Sequence, residues 1–420
     1  MEKKNVPEIR FPEFTGPWVM HKMGELISLR RGLTYSPSDI NENGIRVLRS
    51  SNIDDDTFII HNDDVFVNQE AVNIPKVKVG DILITAANGS SKLIGKHAII
   101  TDISEGDAVP GGFMLLGETR TPSFANAVLS TPWYDKFLRT YAAGGNGAIS
   151  NLKKNDLERQ IILLPSEEER KYIGGFYKLL NSFITKHQRQ VEVLKQFKKG
   201  MLQRMFPREG ETIPSIRFPG FNGPWKSCRL GEIVSISGRI GFRGYTTKDI
   251  VSEEEGGVLA FSPSNIVDNR LDLHTHKTYI TKQKYDESPE IQVSNGDILF
   301  VKTGSTLGKS ALITSLREPA TVNPQIVVIR TDDRLQRFMS VVLSSNKIQK
   351  QVTECKIGGA VPTLTETEIK KFRIDFPTEI EEGIQIGELF AKLDCIGTLY
   401  QHKLNLLKQL KKGLLQKMFI

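Results

Sequence analysis

Two kinds of hydrophobic spacing alternate along the chain, and each occurs twice. Short runs rich in Val, Ile, Leu and Phe fall at residues 46–48, 58–60, 81–85, 96–101 and 161–164. They return at 257–261, 297–302, 310–314 and 325–330, and Gly, Asn and Asp punctuate both sets. Such runs between turn formers predict strands. Each set gives way to a long stretch with apolar residues three and four apart. Leu180, Ile184, His187, Val191, Leu194, Met201 and Met205 form the first stripe, interrupted at Lys198. Leu393, Ile396, Tyr400, Leu407, Leu410, Leu414 and Met418 form the second. Alternating steps of three and four are the seam of a coiled coil.

The ends of these stretches are marked. Pro165-Ser166 followed by three glutamates supplies an N-cap and an acidic first turn, and Pro207 stops the run. Pro377-Thr378-Glu379 opens the second. A helix of about 40 residues extends roughly 60 Å, more than a domain of ~120 residues can bury. Either each helix lies along its own domain, or the two pair through their seams. Antiparallel pairing accounts for their length and relates the halves by a pseudo-twofold axis. The fold expected is therefore α+β, with two globular segments each followed by a long helix.

The duplication is also visible residue by residue. IRFPEFTGPW at 9–18 returns as IRFPGFNGPW at 216–225, identical at eight of ten positions. Gly24-Glu25 returns as Gly231-Glu232, GDIL at 80–83 as 296–299, and GKHAIIT at 95–101 as GKSALIT at 308–314. LKQFKKGMLQRMF at 194–206 returns as LKQLKKGLLQKMF at 407–419, identical at ten of thirteen positions. The order is kept and the offset drifts only from 207 to 216, so two copies of one unit make up the chain. Between the blocks, 30–75 and 238–290 show no convincing match. A shared frame with divergent intervals suits two different binding faces on one scaffold.

Composition narrows the classes. The chain has 420 residues, 39% hydrophobic and 25% charged, an ordinary globular balance without an 18-residue apolar run. Its charged start lacks the apolar stretch of a signal peptide. Three scattered cysteines, Cys228, Cys355 and Cys395, make neither a disulfide framework nor a zinc ribbon and fit a reducing cytoplasm. A net charge of +7 is compatible with nucleic acid.

No catalytic or metal-binding constellation stands out. Residues 304–310, GSTLGKS, resemble a phosphate loop but place three residues between the glycines where four are needed, and the counterpart from Gly89 to Gly95 has five. The adenine-methyltransferase motif and its Gly-rich cofactor loop are absent; Asn323-Pro324-Gln325 is the nearest string. The seven histidines have no ligand spacing, and His274 and His276 read as surface positions on a strand.

Binding candidates are better marked. The turn after GDIL is polar and basic in both copies: Asn88, Ser90, Ser91, Lys92 and Lys96, then Lys302, Thr303, Ser305, Thr306 and Lys309. These side chains can donate to phosphates or base edges, though a solvated hairpin would look similar. Arg30, Arg31 and Tyr35, with rough counterparts Arg239, Arg243 and Tyr245, form a second basic-aromatic set. A third is Gly144-Gly145-Asn146-Gly147 with Gly358-Gly359, read as a flexible approach to the following helix. The helix ends carry seven Lys or Arg from 186 to 208 against one acid, and five Lys from 400 to 420 with none. That charge suits a solvated face, a subunit dock or a DNA backbone.

The twin openings, the GDIL block with its Gly-Lys sequel and the twin helix ends closely resemble the specificity subunits of Type I restriction-modification systems, over essentially the whole chain. The resemblance implies target recognition domains at 1–165 and 209–376, and spacer helices at 166–208 and 377–420. It implies a non-catalytic subunit that reads a split double-stranded DNA target, one half-site per domain. Two modification subunits that methylate adenine, and two restriction subunits, would dock on it. S-adenosylmethionine, ATP and magnesium would belong to those partners. The polar loops and the Arg-Tyr sets would touch DNA. A stand-alone DNA-binding regulator is the alternative.

Overall fold

The structure is a computed structural model that describes residues 5–54, 56–104, 106–141, 150–241, 245–273, 275–356 and 362–420. The chain divides into two compact units, Met1–Gln190 with Tyr400–Ile420, and Val191–Leu399. Each is mixed α+β, and each takes part of both long helices. The central helix spans Glu167–Arg204 and the C-terminal helix Ile380–Lys417. The first unit holds the start of the former and the end of the latter; the second holds the reverse.

The first unit contains a four-stranded antiparallel sheet in the order Ser28–Arg31, Met114–Glu118, Ile82–Thr85, His97–Ile99. The second repeats it as Ser235–Ser237, Ile326–Arg330, Ile298–Val301, Ser310–Leu312. The inner strands ILIT and ILFV are buried at every position, which is why they read as continuous apolar runs rather than alternating ones. Beside each lies a parallel pair, Ala108–Pro110 with Ile40–Leu48 and Ala320–Val322 with Val258–Phe261. The expected strand at 58–60 is shorter: Thr57–Phe58 pairs with Ile53–Asp54 around Asp56, whose φ of 62° turns the chain.

The repeated blocks are structural devices. Arg10 donates to both carboxylate oxygens of Glu169 at 2.7 Å, and the Trp18 indole N–H reaches the same carboxylate at 3.4 Å. Arg217, Trp225 and Glu382 repeat this at 2.7, 2.7 and 2.9 Å. Each opening is thus bolted to the first turn of a long helix by a charge-assisted, bidentate pair. The GD turns place Gly80 and Gly296 both at φ 97°. Asp81 and Asp297 then accept from the backbone of Lys78 and Ser294 at 2.8 and 3.0 Å. Only glycine adopts that backbone cheaply.

Within each unit the helix segments run antiparallel. In the second, Leu194 faces Gly397, Lys198 bonds Asp394, and Met205 lies in the core with Ile386 and Phe390. In the first, the Tyr177 hydroxyl reaches the Met418 sulfur at 3.9 Å. The twin Met-Phe ends seat on the twin tryptophans, Phe419 on Trp18 (ring centroids 6.1 Å) and Phe206 on Trp225 (5.5 Å).

The C-terminal seam differs from the expected stripe at two of its seven positions. Ile396 and Leu410 are 40% and 51% exposed, whereas Leu393, Leu404, Leu415 and Met418 are buried. Gly397 and Lys411 fill the positions between. Gly397 lies against Leu194, and Lys411 reaches Asp56 at 3.1 Å. Ser166 caps the central helix as expected, accepting from Glu169 N at 3.2 Å. Thr378 instead donates to the Pro224 carbonyl.

Candidate nucleic-acid interface

In the first unit the polar loop leaves strand Ile82–Thr85 and is held at its base. Ala86 and Ala87 N–H both donate to the Phe113 carbonyl, at 2.9 and 3.0 Å, and Leu152 N–H donates to Ala86 O at 2.7 Å. Asn88 accepts from Ser90 N at 2.9 Å and donates to Ser50 Oγ at 3.2 Å, so it shapes the loop. Ser90, Ser91 and Lys92 are left exposed. Tyr35 and Asn88 line one open cavity of about 630 Å³ together with Arg49, Ser50 and Phe113.

Arg30 is not brought to that cavity. Its guanidinium pairs with Glu118 at 2.9 Å and donates to Lys76 O at 3.1 Å. Arg31, next on the strand, is exposed and points to the opposite face. Lys92 and half-buried Lys96 line a separate cavity of about 550 Å³ with Lys408, Lys411 and Lys412 of the C-terminal helix. Asp56 lies there too. Burial alone would raise its carboxyl, but the fields of His97, Lys411 and Lys96 outweigh burial and hold it below its ordinary value.

The second unit repeats the arrangement with different groups. Lys302 N–H donates to the Gln325 carbonyl and Leu364 N–H to Lys302 O, both at 2.8 Å. Thr303 and Thr363 share a hydroxyl hydrogen bond at 2.7 Å, and Lys302 pairs with Glu366 at 3.3 Å. Ser305 and Lys309 are exposed and Thr306 is half-buried. Gly304 and Gly308 sit at φ 108° and 85°, so the GSTLGK spacing serves a turn. Arg239 and Tyr245 share a narrow cleft with Pro324. Burial pushes the Tyr245 phenol up, and a hydrogen bond with the Asn323 side chain opposes it. Arg243, His274, Gly144-Gly145-Asn146-Gly147 and Gly358-Gly359 lie outside the described residues. Among the described residues no group of His, Cys, Asp and Glu could hold a metal ion, and no helix is long and apolar enough to cross a membrane.

The structure also matches the intervals that showed no sequence match. Tyr35 and Tyr245 precede equivalent turns, in which Asp39 and Asp249 accept from Ser36 N and Thr246 N, each at 2.7 Å. Asn52 and Asn265, both buried, accept from Arg49 N and Ser262 N at 2.7 and 2.8 Å. The traces in sequence are an Asp-Ile four residues after each Tyr and the shared Ser-Asn-Ile at 51–53 and 264–266. Arg49, Ser50, Phe113 and Gln325 are rim residues that sequence reasoning did not single out.

The family described as Type I restriction modification DNA specificity domain matches residues 222–409. The chain is 21% identical over 290 residues to the Type I restriction enzyme MjaVIII specificity subunit of Methanocaldococcus jannaschii, covering 67% of this chain and 66% of that one. It is 20% identical over 427 residues to the Type I restriction enzyme StySPI specificity subunit of Salmonella potsdam, covering 96% and 88%. Its fold is similar to the crystal structure of the Type-I restriction-modification system S subunit from M. genitalium, with a TM-score of 0.65 at 13% identity over 99% of both chains. In its doubled frame, its two long helices and the match over residues 222–409, the chain is similar to the specificity subunits of Type I restriction-modification systems.

Proposed function

We propose that this chain reads an asymmetric, bipartite double-stranded DNA target, one half-site per unit, for a Type I complex. The observation that carries the reading is the contrast between frame and rim. The two units share backbone hydrogen bonds at the base of the polar loop, yet the adjoining clefts are lined by Arg49, Asn88 and Phe113 in one and by Arg239, Lys284 and Pro324 in the other. Equal scaffolds with unlike rims suit two different half-sites. In this reading Lys92 and Lys309, both exposed, meet phosphates, while the neighbouring polar groups read base edges.

The chain carries the sequence selection, and modification and restriction subunits dock on its repeated blocks and helix ends. S-adenosylmethionine, ATP and magnesium are then bound by those partners. Co-production with its modification subunit is expected to place N6-methyladenine in one split motif with unlike halves. Methylome sequencing that finds no new split motif, or finds a palindrome, overturns the reading.

A further inference from the structure

One turn is built identically in both units and tipped with different chemistry. In the first unit it is Gly111-Gly112-Phe113. Gly111 N–H donates to Leu48 O at 2.8 Å, Met114 N–H to Gly111 O at 2.8 Å, and the Phe113 carbonyl accepts from Ala86. In the second it is Asn323-Pro324-Gln325. Asn323 N–H donates to Phe261 O at 2.7 Å, Ile326 N–H to Asn323 O at 3.0 Å, and the Gln325 carbonyl accepts from Lys302. Three matching backbone bonds make Phe113 and Gln325 the same position of the frame. Sequence comparison alone pairs nothing here, because the two turns share no residue.

Their surroundings are also alike. Phe113 is 70% exposed and stands on the rim of the cavity that holds Tyr35 and Asn88. An aromatic ring so exposed contributes little to its own core. Gln325 lies next to Pro324, which shares the cleft of Tyr245 and Arg239, and its amide lies 3.4 Å from where a Cβ on Gly304 would sit. Both tips therefore border the polar loop and the tyrosine of their unit.

From this geometry we infer that position 113/325 is a specificity-determining position, occupied by opposite chemistries in the two half-sites. The Phe113 ring contacts a thymine methyl or wedges at a base step, and the Gln325 amide pairs with a base edge, adenine being its natural complement. The inference rests on the DNA-reading role proposed above.

The test uses the full chain with its modification subunit and three variants: Phe113→Leu, Phe113→Gln and Gln325→Ala. Phe113→Gln and Gln325→Ala are each expected to relax or change one half of the methylated motif, the first and second respectively, and leave the other half intact. In duplex competition, discrimination at the affected base pair should fall about 10- to 100-fold, with Phe113→Leu retaining part of it. Co-purification of each variant with the modification subunit checks folding and assembly. An unchanged motif in assembled complexes overturns the inference. Loss of assembly by Phe113→Leu overturns it in favour of a protein-docking role. If the unaltered pair yields no split motif, the DNA-reading role itself falls and takes the inference with it.

Discussion

Replacing Glu382 by glutamine tests what joins the repeated opening to the long helix. The Glu382 side chain is 1% exposed and receives two bonds from Arg217 at 2.7 Å and one from Trp225 at 2.9 Å. All three are donors. A glutamine at this place turns an NH₂ toward one of them and leaves the Arg217 charge, whose side chain is 11% exposed, without a counter-ion. Removing one partner of such a pair costs about 3–5 kcal/mol. For a unit of about 200 residues, each kcal/mol moves the transition by about 2–4 °C, so a fall of about 6–20 °C is expected. Differential scanning calorimetry of the purified chain reads it. Neighbouring Glu381 pairs with Arg334 at 3.0 Å with both side chains more than half exposed. Glu381→Gln should therefore cost no more than about 1 kcal/mol. Arg217→Met with Glu382→Leu removes both charges and should recover most of the loss, short of the about 1–3 kcal/mol for the orphaned Trp225 N–H. A loss below about 1 kcal/mol for Glu382→Gln, or a double substitution as damaging as the single one, refutes the reasoning.

Other consequences can be measured separately. Gly387→Ala would bring a Cβ to 2.5 Å from Phe338 backbone N, so denaturant titration should show a loss of about 1–3 kcal/mol; Gly175→Ala meets nothing within 4 Å and should gain up to about 1 kcal/mol. Asp56 lies below its ordinary 3.8 when folded, because its basic neighbours outweigh burial. Its contribution is thus present above that value and lost as pH falls through the folded one, and Asp56→Asn should remove this acid-side slope from unfolding curves of the first unit. DNA binding by the assembled complex should weaken steeply with salt, and Lys92→Ala or Lys309→Ala should each reduce the log–log slope by about 1 without changing the methylated motif.

The hydrophobic spacing and the repeated blocks made the scaffold legible. Continuous apolar runs marked the inner strands, and Pro165-Ser166 marked a true helix start. What stayed hidden depends on partners distant in the chain. Glu169 and Glu382 look like ordinary first-turn acids until Arg10 and Arg217, 159 and 165 residues away, are placed against them. The pairing of Arg30 with Glu118, 88 residues away, leaves no trace in the sequence either. Two of the seven expected C-terminal seam positions, Ile396 and Leu410, are off by one residue, because glycine and lysine carry no hydrophobic signal, yet Gly397 and Lys411 occupy the seam. At the rim, the units share turn-capping Asp and Asn residues separated by unlike insertions. Phe113 and Gln325 share no chemistry at all, so only backbone bonding reveals their equivalence.

The division of the helices between the units has a consequence for synthesis. The first unit needs Tyr400–Ile420, which is translated only after the whole of Val191–Leu399. At about 5–20 residues per second, the earlier-made segment waits roughly 10–50 s for its missing piece. During that time Trp18 and Tyr177 lack Phe419 and Met418. The domain born first therefore matures last. A frameshift between codons 400 and 420 should cripple the unit built on Met1–Gln190 and spare Val191–Leu399.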